Sequence, residues 1–314
     1  PQSPIPSFHF FIVFIYFIIF LNLIYLLMES KGDIERKEMR KKCADIFKDT
    51  HEKCENNAVL KESIEQSIKY TKFYLEGNKF NINNTSIKSK DYNIIITPDR
   101  TLESIKKSYI PNDKKSKIGV LNFASAKHPG GGVWNGARSQ EESLCRASTL
   151  YPCLNTEFLK DNYYSYHIEK KSEYSDRIIY IPNVIVFKSD DNVFAQELNE
   201  KEWYNIDVIS CAAHNQRAYK VNYEKLKTIN YHKIKAIIEC AVENNIDILI
   251  LGAFGCGAFA NDPSLIAKTF KKILIDEEYY KYFEKVHFAI FTTVNETKNI
   301  DEFNNIFEKY IKKQ

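Results

Sequence analysis

The sequence predicts an α/β sandwich built on a mostly parallel or mixed sheet, with an accessory layer of helices towards the N-terminus. Short apolar runs typical of buried strands alternate with segments of helical periodicity, which is the pattern of layered α/β folds. Two of the strands run into glycine-rich connections that lead into helices. The predicted strands are 93–96, 118–123, 178–187, 206–211, 246–251 and 286–292, and the predicted helices are 34–48, 59–74, 233–244, 263–275 and 301–312.

The first glycine-rich connection joins the strand at 118–123 to a helix that begins at Gln140. It contains three consecutive glycines, Gly130, Gly131 and Gly132. Glycine has no Cβ, so it adopts positive φ and lets backbone N–H groups approach a ligand closely, and the helix start that follows favours anions. We interpret this connection as a polyphosphate-binding loop, with an ordinary flexible turn as the alternative.

Two adjacent carboxylates, Glu141 and Glu142, open the helix that follows. Ser139 and Glu142 have the spacing of a capping box, in which the glutamate only accepts a hydrogen bond from a backbone N–H. The alternative is that one glutamate is a general acid. Neighbouring residues of a helix project about 100° apart, so the two cannot face one ligand in the same way. One glutamate would act as the general acid, and the other would orient it.

The second glycine-rich connection, GAFGCGAF at 252–259, follows the apolar strand 246–251. Asp262 and Pro263 are a typical N-cap and first helical residue, so a new helix is predicted to start there. Ligands of open α/β sheets bind at the carboxyl ends of strands. The glycine spacing does not match the G-x-G-x-x-G dinucleotide fingerprint, which disfavours a Rossmann dehydrogenase. The two connections together predict a diphosphate held from two sides.

Over residues 34–312 the sequence resembles the microbial-type poly(ADP-ribose) glycohydrolases, whose catalytic domain has a macrodomain-like fold. Their signature of three glycines, a spacer and Gln-Glu-Glu reads GGGVWNGARSQEE here, and the similarity extends through LNFASAKHP, SLCRASTLYPCL, IIYIPNVIVFKSDD and LGAFGCGAFANDP. The resemblance implies a macrodomain-like three-layer sandwich with a mixed sheet. It also implies an enzyme that hydrolyses ribose–ribose glycosidic bonds of poly(ADP-ribose) and releases ADP-ribose.

The resemblance also implies roles for individual residues. Glu142 would be the catalytic acid and then the base that activates water, and Glu141 would position it. The substrate-binding residues would be Asn122, Gly130, Gly131, Gly132, Gln140, Gly255, Cys256, Gly257, Ala258 and Phe259. One departure is CAAHNQ at 211–216, where His214 stands in a loop expected to contain proline.

Composition excludes several other classes. A net charge of +3 gives no strong electrostatic argument for nucleic acid, so no direct nucleic-acid binding is predicted. Seven cysteines without a C-x-x-C pair argue against a zinc site or a disulfide framework. We expect no cofactor and no metal. Poly(ADP-ribose) or ADP-ribosylated proteins are the expected partners, in the cytoplasm or nucleus. A module that binds ADP-ribose without cleaving it, and a hydrolase that removes single ADP-ribose units, remain as alternatives.

Three regions are predicted along the chain. Residues 1–27 are a hydrophobic segment in which 8–27 is long enough to span a bilayer, but it lacks the features of a secretory signal. As an anchor, it would be followed by basic residues that keep the catalytic part cytoplasmic. The alternative is non-native upstream translation, with Met28 as the natural start. Residues 28–105 are an N-terminal helical accessory region, and 106–314 are the macrodomain-like ADP-ribose-binding catalytic core.

Overall fold

A computed structural model of the protein describes residues 8–83, 85–108, 116–170, 175–190, 195–293 and 296–311, with side chains from residue 32 onwards. In that part of the chain, no helix is both long and apolar enough to cross a membrane. The membrane anchor predicted at 8–27 falls outside the described side chains.

A mixed sheet forms the centre of the fold. Its strands are β1 (Lys72–Tyr74), β2 (Ile94–Thr97), β3 (Ile118–Phe123), β4 (Ile178–Val186), β5 (Tyr204–Cys211), β6 (Ile248–Leu251) and β7 (Lys285–Ala289). They lie in the order β1-β4-β5-β3-β6-β7-β2. The strands from β5 to β2 in this order are parallel to one another, whereas β4 is antiparallel to both β1 and β5.

Helices cover both faces of the sheet. They are α1 (Phe8–Asn56), α2 (Ala58–Tyr70), α3 (Thr101–Ser108), α4 (Gln140–Ala147), α5 (Leu150–Leu154), α6 (Glu157–Leu159), α7 (Ser165–Lys170), α8 (Tyr223–Glu243), α9 (Pro263–Lys271) and α10 (Lys298–Phe307). Apolar side chains of α8, α9 and α10 fill the core on one face, and those of α1, α3, α4 and α5 fill it on the other. The fold is therefore the predicted three-layer α/β sandwich, with α1 and α2 as its N-terminal helices.

A change of element type, from predicted helix to strand, lies at the end of α2. A helix was expected over 59–74, but α2 ends at Tyr70 and, after Thr71, residues Lys72–Tyr74 form β1. Phe73 fits a helical period locally, yet it pairs across the sheet with Ile179 of β4. Strand pairing depends on distant partners, so it overrides local propensity here. As a result, the region 28–105 contributes β1 and β2 to the sheet in addition to its helices.

The predicted helix at 263–275 also differs from the structure. It remains α-helical only to Lys271 and continues as a π-helical turn over Lys272–Asp276. Its start agrees with the prediction, because the Asp262 side chain accepts a hydrogen bond from the Ser264 N–H and Pro263 is the first helical residue.

The arrangement of β3 and β6 positions the functional site. These strands are parallel neighbours, with Ile118 opposite Ile248 and Val120 opposite Ile250. Their carboxyl ends therefore lie side by side, and the two glycine-rich connections leave the sheet at the same edge. The carboxyl ends of β7 and β2 continue this edge.

Candidate active site

A cavity of about 890 Å³ lies at the carboxyl ends of β2, β3, β6 and β7, beside the first turn of α4. Its volume is in the range of ligand-binding clefts. Predicted site residues that line it are Gly131, Gly132, Gln140, Glu141, Glu142, Gly255, Gly257, Ala258 and Phe259. Three others, Asn122, Gly130 and Cys256, lie behind this lining and support it from within the fold.

Glu142 reaches back from α4 to the glycine loop. Its Oε1 accepts a hydrogen bond from the Gly132 backbone N–H at 2.9 Å, and its Oε2 is buried without a partner among the described residues. Ser139, the N-cap of α4, makes no side-chain capping bond. The capping-box alternative is therefore wrong, and Glu142 has one fixed oxygen and one available oxygen.

Glu141 is bound on both carboxyl oxygens. Oε1 accepts from Asn122 Nδ2 at 3.2 Å, and Oε2 accepts from the Ser125 N–H at 2.7 Å. Asn122 Nδ2 also donates to Ser210 Oγ at 3.0 Å, so Asn122 links β3, β5 and the glutamate. Burial raises the pKa of Glu141 from 4.5 to about 8, with a further rise from the charge of Glu142, against the two hydrogen bonds that lower it.

The raised pKa of Glu141 gives a prediction for stability against pH. The native protein holds a proton on Glu141 that the unfolded chain releases near pH 4.5. The stability that protonated Glu141 contributes is therefore fully present below that pH and is lost as pH rises through about 8. We expect the free energy of unfolding to fall by roughly 2–4 kcal/mol more in the wild type than in Glu141→Gln between about pH 5 and pH 8.

Urea denaturation of both proteins across this pH range measures the effect. Glutamine is a suitable replacement for a protonated Glu141 because the Asn122 amide can turn over and accept its N–H. Burial lowers the pKa of His167 and of His287 to about 4, so these residues stabilise the protein as pH rises, and they do so equally in both variants. Equal pH slopes in the two proteins would show that Glu141 ionises normally in the fold.

The glycine loop depends on the absence of side chains. Gly130 and Gly131 have φ of 66° and 60°. A Cβ on Gly131 would overlap Glu142 Oε1, and one on Gly130 would lie 2.8 Å from the ring of Tyr151. These glycines therefore allow the loop to lie directly against the glutamate and the aromatic residue beneath it.

Gln140 fixes the start of α4 to the sheet. Its Oε1 accepts from the Phe123 N–H at 2.9 Å, and its Nε2 donates to the Leu121 carbonyl at 2.8 Å and to Thr101 Oγ1 at 3.3 Å. Although the residue lines the cavity, its amide is already engaged by the protein. The structure thus gives Gln140 a supporting position next to the two glutamates.

The connection after β6 forms the opposite wall. Gly255 has φ of 74°, and a Cβ there would lie 2.7 Å from Ala213. Gly257 has open space where its side chain would be, and the N–H groups of Gly257 and Ala258 have no partner among the described residues. The latter groups are thus available as donors to an anion.

Two residues near this wall do not line the cavity: Cys256 is half-buried and His214 is buried. The thiol of Cys256 lies 3.8 Å from the Phe254 carbonyl, and burial raises its pKa to about 12. His214, at the departure from the family pattern, is fully buried, with its Nε2 2.7 Å from the Tyr219 carbonyl oxygen. Both side chains support the loops from behind.

The far end of the cavity contains residues that the sequence analysis did not identify. Asp99 follows β2, and its Oδ2 is buried without a partner among the described residues. Burial alone would raise the pKa of Asp99, but hydrogen bonds from Lys107 and Thr97 hold it below its ordinary value. Phe291 follows β7, is 51% exposed, and lies 4.1 Å from the guanidinium of Arg100. The signal available in the sequence was their position directly after parallel strands.

Two arginines of the cavity could meet an anionic ligand, and Asp99, Glu141, Glu142 and Asp190 also line it. Arg100 and Arg138 both line it, and neither forms an ion pair within the described residues. The described part of the chain also contains no group of three side chains that could hold a metal ion. Among the described groups, these arginines and the free N–H groups of the second loop could therefore meet negative charge.

Comparison with known proteins agrees with this geometry. The family model of the microbial-type PARG catalytic domain matches residues 41–189 of the sequence. The fold is similar to poly(ADP-ribose) glycohydrolase (PARG) from Thermomonospora curvata, with 28% identity, a TM-score of 0.73, and coverage of 84% of this chain and 99% of that one. The same enzyme bound to the inhibitor ADP-HPD gives a TM-score of 0.71 at 28% identity, covering 84% and 98%.

A second solved relative is PARG from Deinococcus radiodurans in complex with ADP-ribose. It has 28% identity and a TM-score of 0.68, with coverage of 78% of this chain and 97% of that one. No curated protein matches the sequence. Fold and site define a macrodomain-like α/β protein with a paired-glutamate cavity, and residues 41–189 match the family model of the microbial-type PARG catalytic domain.

Proposed function

We propose that this protein is a poly(ADP-ribose) glycohydrolase that cleaves ribose–ribose bonds of the polymer and releases ADP-ribose. The observation that carries this proposal is the carboxyl group of Glu142. One oxygen is fixed by the Gly132 N–H, and the other is desolvated and has no partner among the described residues. The paired glutamates lie within the residues that match the microbial-type PARG catalytic domain, and one solved PARG relative is in complex with ADP-ribose.

Glu142 would act twice in the reaction. As an acid, it gives its proton to the oxygen of the glycosidic bond as that bond breaks, which leaves an oxocarbenium-like ribose. As a base, it then takes a proton from the water that attacks the anomeric carbon, so one water is consumed and Glu142 is regenerated. Glu141 lies beside it with both oxygens engaged, and it serves to position the loop and the first turn of α4.

The rest of the cavity would bind the remainder of an ADP-ribose unit. The N–H groups of Gly257 and Ala258, together with Arg138, would meet the diphosphate. The unpaired Oδ2 of Asp99 would accept from the exocyclic amine of adenine, and the exposed ring of Phe291 would stack on the base.

The predicted regions would then work as one catalytic unit. We propose that residues 28–105 and 106–314 are not separable, since β1 and β2 come from the first region and pair with strands of the second. The helix α1 also contacts the segment after the glycine loop. Residues 1–27 would be separate from this unit.

The test is product analysis with the full chain. We expect incubation with poly(ADP-ribose) to release free ADP-ribose, resolved by chromatography, at the same rate with and without a chelator. A parallel incubation uses a protein that carries single ADP-ribose units. Release only from that substrate would make this a mono-ADP-ribosyl hydrolase, and binding without release from either would make it an ADP-ribose-binding module.

A further inference from the structure

We propose that Arg146 is a positioning residue for Glu142 that acts through Ala137 and Gly132, with α1 holding this path from outside. The proposal rests on the function proposed above. Arg146 lies in the last turn of α4 and does not line the cavity. Its role therefore depends on the contacts that connect it to the glycine loop.

The path consists of successive hydrogen bonds. Arg146 Nη1 donates to the Ala137 carbonyl at 2.6 Å, and Nη2 donates to Ser143 Oγ at 3.0 Å. The Ala137 N–H donates to the Gly132 carbonyl at 3.1 Å. The Gly132 N–H in turn donates to Glu142 Oε1 at 2.9 Å. The guanidinium thus fixes the segment whose other end fixes the proposed acid.

The burial of Arg146 indicates more than a packing role. The residue is 3% exposed, and no carboxylate of the described residues lies within ion-pair distance. A buried cation without an acidic partner is costly, and an apolar side chain would fill the same space at a lower cost. What the guanidinium supplies in addition is a rigid planar set of donors that can bond Ala137 and Ser143 in fixed directions.

Helix α1 closes the outer side of the same segment. Thr50 Oγ1 donates to the Arg146 carbonyl at 2.5 Å. The rings of Phe47 and His51 pack edge-on against Trp134, with centroids 4.8 Å and 5.2 Å away. Gly136 lies directly against the backbone carbonyl of residue 40. The segment after the glycine loop therefore cannot shift outwards unless α1 leaves its place.

The expected effect is on turnover more than on binding. Arg146 touches none of the groups proposed to bind ADP-ribose, whereas a displacement of the acid by about 1 Å can cost roughly 10²-fold in rate. We expect Arg146→Met to lower kcat by about 10- to 100-fold, with KM and the Kd for ADP-ribose changed less than about threefold. Arg146→Lys, which keeps the charge but has its donors on a single nitrogen, should recover part of the loss.

The experiment compares these two variants with Asp207→Asn. Asp207 is a buried residue of β5, opposite Gly119 near the start of β3, and it bonds Tyr180 and the Asn183 N–H. The control should lose stability without losing kcat per folded molecule. A fall of kcat in the Arg146 variants that only follows the folded fraction, or a rise of KM at unchanged kcat, would overturn the proposal.

Trp134 gives a readout that does not depend on turnover. The chain contains two tryptophans, and Trp203 packs against Phe187 away from the cavity. In a Trp203→Phe background, the emission of Trp134 should shift in the Arg146 variants and stay unchanged in Asp207→Asn. If the wild type released no ADP-ribose, the proposed function would fail, and unchanged Trp134 emission would separately overturn the positioning role.

Discussion

Replacing Glu142 with glutamine is expected to lower kcat on poly(ADP-ribose) by about 10²- to 10⁴-fold while ADP-ribose binding persists. Glutamine retains the shape of the side chain, and its Oε1 can still accept from the Gly132 N–H. It has no carboxyl proton to give, and it is too weak a base to activate water. The measurement is the steady-state rate of ADP-ribose release, with binding followed by calorimetry.

A matched control separates catalysis from helix capping. Ser139→Ala alters the N-cap of α4, where the serine side chain makes no capping bond. We expect this variant to keep both its stability and its kcat. If Glu142→Gln turned over polymer at the wild-type rate, Glu142 would not be the acid, and a loss of ADP-ribose binding together with activity would indicate a collapsed cavity.

The contrast between the two glutamates explains how they share a cavity with an anionic ligand. At neutral pH, most molecules carry a proton on Glu141, because burial raises its pKa to about 8. The neutral carboxyl group reduces repulsion with a bound diphosphate. The adjacent pair is therefore compatible with Glu142 as the reacting acid and Glu141 as the residue that positions it. Two equivalent catalytic carboxylates are not required.

Local patterns in the sequence predicted the elements that carry the site. The strand at 118–123 and the helix start at Gln140 have the bounds that were predicted, since apolar runs and N-terminal helix signals are local. We predicted that the two glycine loops lie close together because both follow strands, and ligands of open α/β sheets bind at the carboxyl ends of strands. The role of Glu142 stayed open between cap and acid, because only the tertiary structure shows that its partner is the Gly132 N–H.

What the sequence could not predict involves residues far apart in the chain. β1 exists because it pairs with β4, more than a hundred residues later, and its local pattern suggested a helix. Asp99 and Phe291 meet in one cavity across nearly two hundred residues because β2 and β7 are neighbours in the sheet. The support that α1 gives to Gly136 likewise depends on packing between distant segments.

The second large effect is expected for Gly136→Ala, which should lower the free energy of unfolding by roughly 3–5 kcal/mol. Gly136 has φ of 66°, and a Cβ there would overlap the backbone carbonyl of Arg40 in α1. A flexible side chain could turn away from such a contact, but the backbone of a packed helix cannot. The new methyl group must therefore push α1 outwards and loosen its contacts with Trp134 and with the Arg146 carbonyl.

Gly77→Ala provides the control, because Gly77 has φ of 71° and nothing within 4 Å of an added Cβ. Gly77→Ala should lower the free energy of unfolding by only about 1 kcal/mol, which is the cost of a left-handed conformation for a residue with a side chain. The difference between the two variants in urea denaturation then isolates the cost of the contact between the new methyl group and α1. Equal losses would mean that α1 yields freely at this contact, and the outer support proposed for Arg146 would have to come from Thr50 and the aromatic side chains alone.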